Sequence, residues 1–171
     1  MMLAYILGDG PHGRMLAKIV GGKCFGEEDE LPVSGNFYVG VGDTVLRKKI
    51  WASSPRRHFP ALIMGGNHGK VSAGSHLMHG SLIMHGTVVH ENVLINTGAQ
   101  VDHDCVIGAH SHIAPGAILC GNVTLGEETF VGAGAIILQG VTLNARSSVP
   151  AGTLVVGSND FRRPQRVFFD R

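Results

Sequence analysis

From Val71 to Val155 every sixth residue is aliphatic, fifteen positions in succession without a slip. Four residues after each anchor from Val71 to Val149 stands a small or β-branched residue, among them Ser75, Ala99, Cys105, Ser111 and Ala135. A period of six fits neither a 3.6-residue helix nor the two-residue alternation of a strand; a short strand followed by a sharp turn, repeated, accounts for it. Three such units close a triangular coil.

The pattern resembles the hexapeptide repeat of left-handed parallel β-helices, and runs such as VIGAHS, TLGEET and FVGAGA carry it plainly. The resemblance implies that anchors and small residues point inward, that the two residues between them form a corner, and that the rest face out. Fifteen hexads predict about five coils and, at roughly 4.8 Å per coil, a prism about 24 Å tall. No insertion breaks the phase, so no loop is expected to project from the prism. A site on it has to be built from faces and corners, with a neighbouring subunit as the other wall.

The composition agrees. With 44% hydrophobic but only 6% aromatic residues and 25 glycines in 171 residues, the core is aliphatic and the backbone turns often. A net charge of +1 without a block of like charge gives little purchase on nucleic acid or an anionic membrane. Cys24, Cys105 and Cys120 form no CxxC pair, which speaks against a disulfide framework or zinc knuckle and for a reducing compartment. The opening MMLAYILGDG lacks a basic segment and a long apolar run, so a cytoplasmic protein without membrane insertion is expected.

Residues 1–60 read as a small α/β unit of the order β-α-β-α, and residues 61–171 as the β-helix. Leu3 to Leu7 is an apolar run ending in GDGPHG, followed by helical spacing from Arg14 to Val20. Phe37 to Val41 leads through Gly42 and Asp43 into a second helical stretch from Val45 to Trp51. Glycine loops at helix starts let backbone N–H groups approach a phosphate, and a nucleotide-sized crevice is expected beyond the strand ends. Glu27 to Glu30 reads as a solvated acidic loop, and Ser53 to Pro60, with Pro55, Arg56 and Arg57, as the connector.

GDGPHG, GVGDTVLRKKI and NTGAQVDHDCVIGAHSHIAPGAILCGN together resemble the sugar acyltransferases of the PglD and NeuD type. The resemblance implies a homotrimer that passes an acetyl group from acetyl-CoA to a nucleotide-linked amino sugar, typically a UDP-linked 4-amino sugar. It makes His103 the general base and Asp102 and Asp104 its flanking carboxylates. Asn96, His112, Gly132 and Ala133 then line the acetyl-CoA site, and Gly121 offers a backbone amide near the thioester oxygen. Gly8, Asp9, Gly10, His12, Gly13 and Gly42 would hold the sugar nucleotide, with Arg14 and Arg47 as charge partners. Two departures stand out: the stretch from Gly21 to Gly35 is short where a second strand and its acidic residue are expected, and the chain reads GSNDFRRP after the last repeat.

Position supports these assignments. His103 follows anchor Val101 by two residues, on a corner; His112 precedes anchor Ile113, on an outward face. Nine residues between them are half a coil, so they lie on opposite sides of one prism and can share a site only across a subunit boundary. Gly121 stands one coil above His103. Acyl transfer to an amine needs a base for its proton and donors for the developing oxyanion, and a carboxylate on the far nitrogen fixes the tautomer of the imidazole. Either aspartate fits that role. Direct attack is expected, since Cys105 fills an inward slot and Cys120 has no adjacent base. No metal is expected: the zinc-holding prism of γ-class carbonic anhydrases needs a third histidine two coils before the pair His85 and His90, where Lys49 stands outside the repeat. Sugar or sialic acid O-acetylation, and a non-catalytic β-helix module, are the alternatives.

Overall fold

In the computed structural model, residues 3–26, 29–54, 57–158 and 160–162 are described. Glu27 and Glu28 of the acidic stretch, Pro55 and Arg56 of the connector, and Asn159, Arg163 and Pro164 of the GSNDFRRP run lie outside them.

The repeat folds as its period requires. Two-residue strands stack in three parallel ladders, one for each side of a triangular prism. The first side runs through His76–Leu77, Leu94–Ile95, His112–Ile113 and Phe130–Val131; the second through Leu82–Ile83, Gln100–Val101, Ile118–Leu119 and Ile136–Ile137; the third through Val88–Val89, Val106–Ile107 and Thr124–Leu125. Anchors from Leu77 to Val155 are buried in one continuous core with Val93, Ala99, Cys105, Ala117, Val123 and Ala135 from the small-residue column. Buried hydroxyls in that column serve the backbone: Thr87 Oγ1 donates to Asp102 O and accepts from Cys105 N–H, one coil up.

Each corner turns on a residue of positive φ three places after an anchor. Fourteen corners need one, and glycine occupies eight of them. Outside glycine the left-handed region costs roughly 1–2 kcal/mol, so the six exceptions, Asn92, Asp104, His110, Asn122, Glu128 and Arg146, ask for an explanation. They are not scattered. The edge joining the first side to the second is glycine throughout, at 80, 98, 116, 134 and 152. The edge joining second to third carries Asp104 and Asn122 between Gly86 and Gly140, and the edge joining third to first carries the other four above Gly74.

One coil departs from the period. Leu62–Ile63 and Gly66–Asn67 pair with His76–Leu77 and Leu82–Ile83, steps of 14 and 16 residues, before Lys70–Val71 pairs with Val88–Val89 and the step of 18 sets in. The prism therefore begins two sides before the first anchor in the sequence pattern.

The amino-terminal unit has β1 (Ala4–Leu7), α1 (Pro11–Val20), β2 (Lys23–Phe25), β3 (Asn36–Val39) and α2 (Thr44–Ala52), its strands forming a parallel sheet in the order β2-β1-β3. The expected order β-α-β-α is corrected to β-α-β-β-α, because the short stretch after Gly21 forms a further strand, only three residues long. Ile6 and Leu16 pack against Met78 and Leu94 on the first side of the prism. Helix α2 lies along the third-to-first edge: Trp51 covers Gly74, where a β-carbon would collide with the indole, and Lys48 Nζ reaches Glu128 Oε1 at 2.6 Å.

Between these contacts Arg47 is fully buried. Its guanidinium donates to Val39 O at 2.9 Å, Val41 O at 2.8 Å and Asn92 Oδ1 at 2.9 Å, while Asn92 Nδ2 returns a bond to Arg47 O. Arg47 is thus a strut between sheet, helix and prism, and its expected role beside a phosphate is corrected. Burial pushes its pKa down to about 9. The strained corner at Asn92 is repaid by this side-chain pairing.

Arg47→Ala strands the carbonyls of Val39, Val41 and Asn92 and a buried amide, each costing about 1–3 kcal/mol when unpaired. We expect a loss of roughly 3 kcal/mol or more in denaturant unfolding, with proteolysis reaching the amino-terminal unit before the prism.

Candidate active site

His103 stands exposed on the second-to-third edge, between Asp102 and Asp104. The structure separates the two carboxylates. Asp104 Oδ2 lies 2.8 Å from His103 Nδ1, whereas Asp102 Oδ1 accepts the His103 backbone N–H at 2.8 Å. A carboxylate only accepts, so Nδ1 carries the proton and Nε2 keeps its lone pair. The hydrogen bond to Asp104, aided by the charges of Asp102 and Asp104, raises the pKa of the imidazole.

Two glycines bracket this pair. A β-carbon on Gly86, one coil below, would collide with Asp104 Oδ1, and one on Gly121, one coil above, would come within 2.5 Å of His103 Nε2. Gly121 is therefore needed for the approach of the ring itself, beyond the amide expected of it. The part of Gly86 was missed in the sequence, where it looks like any other corner glycine. Cys105 is buried, its Sγ directed at Cys120 O at 3.2 Å, and burial raises its thiol pKa.

His112 lies on the first side, away from the His103 edge. It faces outward from the prism as expected, but the amino-terminal unit covers it: Nδ1 donates to Gly42 O at 2.7 Å, and Nε2 lies 3.2 Å from Asn96 Nδ2. Asn96 opens the all-glycine edge. Gly132 and Ala133 belong to the same edge two coils higher, and a β-carbon on Gly132 would collide with the backbone of Ala151. Above Asn96 the corner residues Ala114, Pro115, Gly132, Ala133, Pro150 and Ala151 leave this edge without long side chains.

A cavity of about 740 Å³ opens at the carboxyl ends of β1, β2 and β3. Gly8, Asp9, Gly10, His12 and Gly42 line it as expected; Gly13, Arg14 and Arg47 do not. Gly13 lies behind the wall, where a β-carbon would strike Gly8 O, and the Arg14 guanidinium folds back onto the Asp9 carbonyl. The cation in the lining is Lys49, on α2, and Asp29 supplies a carboxylate beyond β2. Neither stood out in the sequence, because one is a helix lysine among several and the other belongs to an acidic run. A second cleft of about 490 Å³, between the start of α2 and the prism, is lined by Gly42, His112, Phe130 and Arg146 among others.

Three imidazoles surround Arg47. Burial, followed by the nearby guanidinium, lowers His12 to about 4. His112 is held at about 4, again chiefly by burial. His76, fully buried beside Tyr38, lies well below its usual range, and neither of its ring nitrogens has a partner among the described residues. The other early-coil histidines are exposed, with the rings of His68 and His85 5.1 Å apart and tilted by 38°. Among the described residues no group of three or more His, Cys, Asp or Glu side chains is placed to hold a metal ion, and no helix is long and apolar enough to cross a membrane.

Residues 86–121 match the bacterial transferase hexapeptide family of six repeats. The acetyltransferase domain of PglB from Neisseria gonorrhoeae superposes with a TM-score of 0.82 at 26% identity, over 96% of this chain and 94% of that one. By repeat and by fold, the chain is similar to left-handed β-helix sugar acyltransferases. The PglB domain has also been solved in complex with acetyl-CoA. PerB from Caulobacter crescentus, solved with CoA and GDP-perosamine, matches with a TM-score of 0.82 at 28% identity over 91% of this chain and 89% of that one. WeeI from Acinetobacter baumannii, at 20% identity and a TM-score of 0.68 over 95% and 99% of the two chains, shares the fold.

The depressed imidazoles give this acyltransferase fold a defined acid response. An unfolded histidine takes up its proton near pH 6.5, whereas His12 and His112 in the folded chain wait until about pH 4. Their contribution to stability is complete above pH 6.5 and is lost as the pH falls from there toward 4. The melting temperature should fall over this window. His76→Phe, which removes two unpaired buried nitrogens beside Tyr38, should raise stability by about 1–2 kcal/mol at neutral pH and make the fall shallower.

Proposed function

We propose that the chain transfers an acetyl group from acetyl-CoA to the amino group of a nucleotide-linked amino sugar, with His103 as general base. The observation that carries this reading is the oriented pair His103–Asp104 on an exposed corner, its Nε2 lone pair set beside Gly121. As the amine attacks the thioester carbonyl, Nε2 takes its proton, Asp104 stabilises the imidazolium, and the Gly121 N–H meets the developing oxyanion. The tetrahedral adduct then collapses with cleavage of the C–S bond, and the imidazolium returns its proton to the leaving sulfur, giving amide and CoA thiol. Cys105, buried and with a raised pKa, is unsuited to an acyl-enzyme route.

In this reading residues 1–60 are the sugar-nucleotide domain and residues 61–171 the acyltransferase domain. The cavity beyond β1–β3 suits a nucleotide diphosphate: the start of α1 at Gly10 offers backbone N–H groups, Lys49 replaces the two arginines as charge partner, and Asp29 is placed to accept ribose hydroxyls. The family resemblance favours UDP, while the similar PerB is bound to a GDP sugar, so a panel of UDP, GDP and dTDP sugars identifies the base. Acetyl-CoA lies along the smooth edge of Asn96, Gly132 and Ala133.

That edge and the His103 edge belong to different corners of one prism, so donor and base meet between subunits of a homotrimer. Exposed Val106, Ile136 and Leu138 beside the His103 edge are suited to such an interface. Light scattering tests it, and a fully active monomer at assay dilution would refute the shared site.

Kinetics separates the roles. His103→Ala should lower turnover by about 10²–10⁴-fold with an unchanged melting temperature, since the residue is a half-exposed corner. Near-normal turnover would make His103 structural. Asp104→Asn removes the interaction that raises the imidazole pKa, so the acidic limb of the rate profile should move to lower pH while the plateau drops. At Gly10 a β-carbon meets nothing within 4 Å. Gly10→Val should therefore leave the fold intact and raise KM for the sugar nucleotide but not for acetyl-CoA; equal effects on both would place the nucleotide elsewhere.

A further inference from the structure

The two cavities of the amino-terminal unit share a wall, and that wall is one residue. Gly42 lines the large cavity at the strand ends and also the cleft that reaches His112. Its carbonyl accepts the proton of His112 Nδ1, which leaves Nε2 an acceptor, met by Asn96 Nδ2 at 3.2 Å. Asn96 is fixed the other way round by Thr97 N–H, which donates to Asn96 Oδ1 at 2.8 Å. Every donor and acceptor along this line is thereby assigned, and one N–H of the Asn96 amide remains for a ligand on the smooth edge.

We propose that Gly42, His112 and Asn96 form a relay through which an occupied sugar-nucleotide cavity tightens binding of the acetyl donor. This rests on the functional reading above. Gly42 sits between Val41, whose carbonyl Arg47 pins, and Asp43, whose carboxylate caps α2 through Leu46 N–H. Both neighbours are held, and glycine has the most conformational freedom to lose. A ligand against Gly40–Gly42 confines that residue to the conformation in which its carbonyl rests on His112 and so holds the Asn96 amide in place before the donor arrives. The donor then binds without that ordering cost, and linkage requires it to tighten the nucleotide by the same factor. Gly42 and His112 are positioning residues in this scheme.

Calorimetry with CoA, in the absence and presence of saturating UDP, GDP or dTDP, reads the coupling as a ratio of two dissociation constants. These probes lack both sugar and acetyl group, so contact between the reacting groups contributes nothing. The wild type should bind CoA about fivefold or more tightly when nucleotide is present. In Gly42→Ala the new β-carbon lies 3.2 Å from His112 Cε1 and stiffens the backbone; in His112→Asn the acceptor facing Asn96 is gone. Both ratios should fall toward one. A merely structural role would weaken the affinities and leave the ratio alone. A wild-type ratio of one, or an unchanged ratio in either variant, overturns the relay while the sugar-nucleotide reading stands. If none of the three nucleotides binds, that reading fails and the relay with it.

Discussion

The prism depends on a backbone conformation that most residues resist. Fourteen corners each need one residue in the left-handed region, where a β-carbon crowds the following carbonyl. Glycine meets the demand without strain but brings no side chain, so a side chain at one of these turning positions is found only where another residue accepts the cost. Asp104 does so beside His103. Asn92 and Glu128 do so beneath α2, where Arg47 and Lys48 hold them. The edge left to glycine is the smooth one. The three edges differ in chemistry because they differ in where this strain is compensated.

Arg47 joins the two halves of the molecule in an uncommon way. A buried guanidinium is usually met by a carboxylate, yet here backbone carbonyls and one amide satisfy it. Its positive charge is left in a poorly solvated seam, where burial, with a lesser contribution from the guanidinium, keeps the imidazoles of His12, His76 and His112 neutral. For His112 neutrality is useful, since only the neutral ring can donate to Gly42 and accept from Asn96 at once.

Much of this was legible in the sequence because the coil is a local structure. The six-residue period named the inward columns residue by residue, and burial of Leu77 through Val155 follows it. His103, its edge and its distance from His112 followed from counting. What escaped counting depended on contacts far apart in the chain. Arg47 reads as a charge partner for the sugar nucleotide because its true partner Asn92 is 45 residues away. The choice of Asp104 over Asp102 turned on a side-chain rotamer. Lys49 and Asp29 gained meaning only when α2 and the loop after β2 closed on one cavity. The shortened first coil lacks the anchors by which the others are recognised, so the period is legible only from Val71 although the prism starts at Leu62.

The steps of 14, 16 and then a constant 18 residues bear on how such a chain can change length over evolutionary time. Within the constant region, gain or loss of a single codon would rotate every later anchor out of the core and carry glycines away from their corners. Heritable length variation there is confined to whole coils or to excursions that return to phase, whereas the opening coil already tolerates irregular steps. Lineages descended from a common ancestor should therefore differ in this region by substitution, or by eighteen residues at a time, and should collect their small insertions and deletions before Lys70.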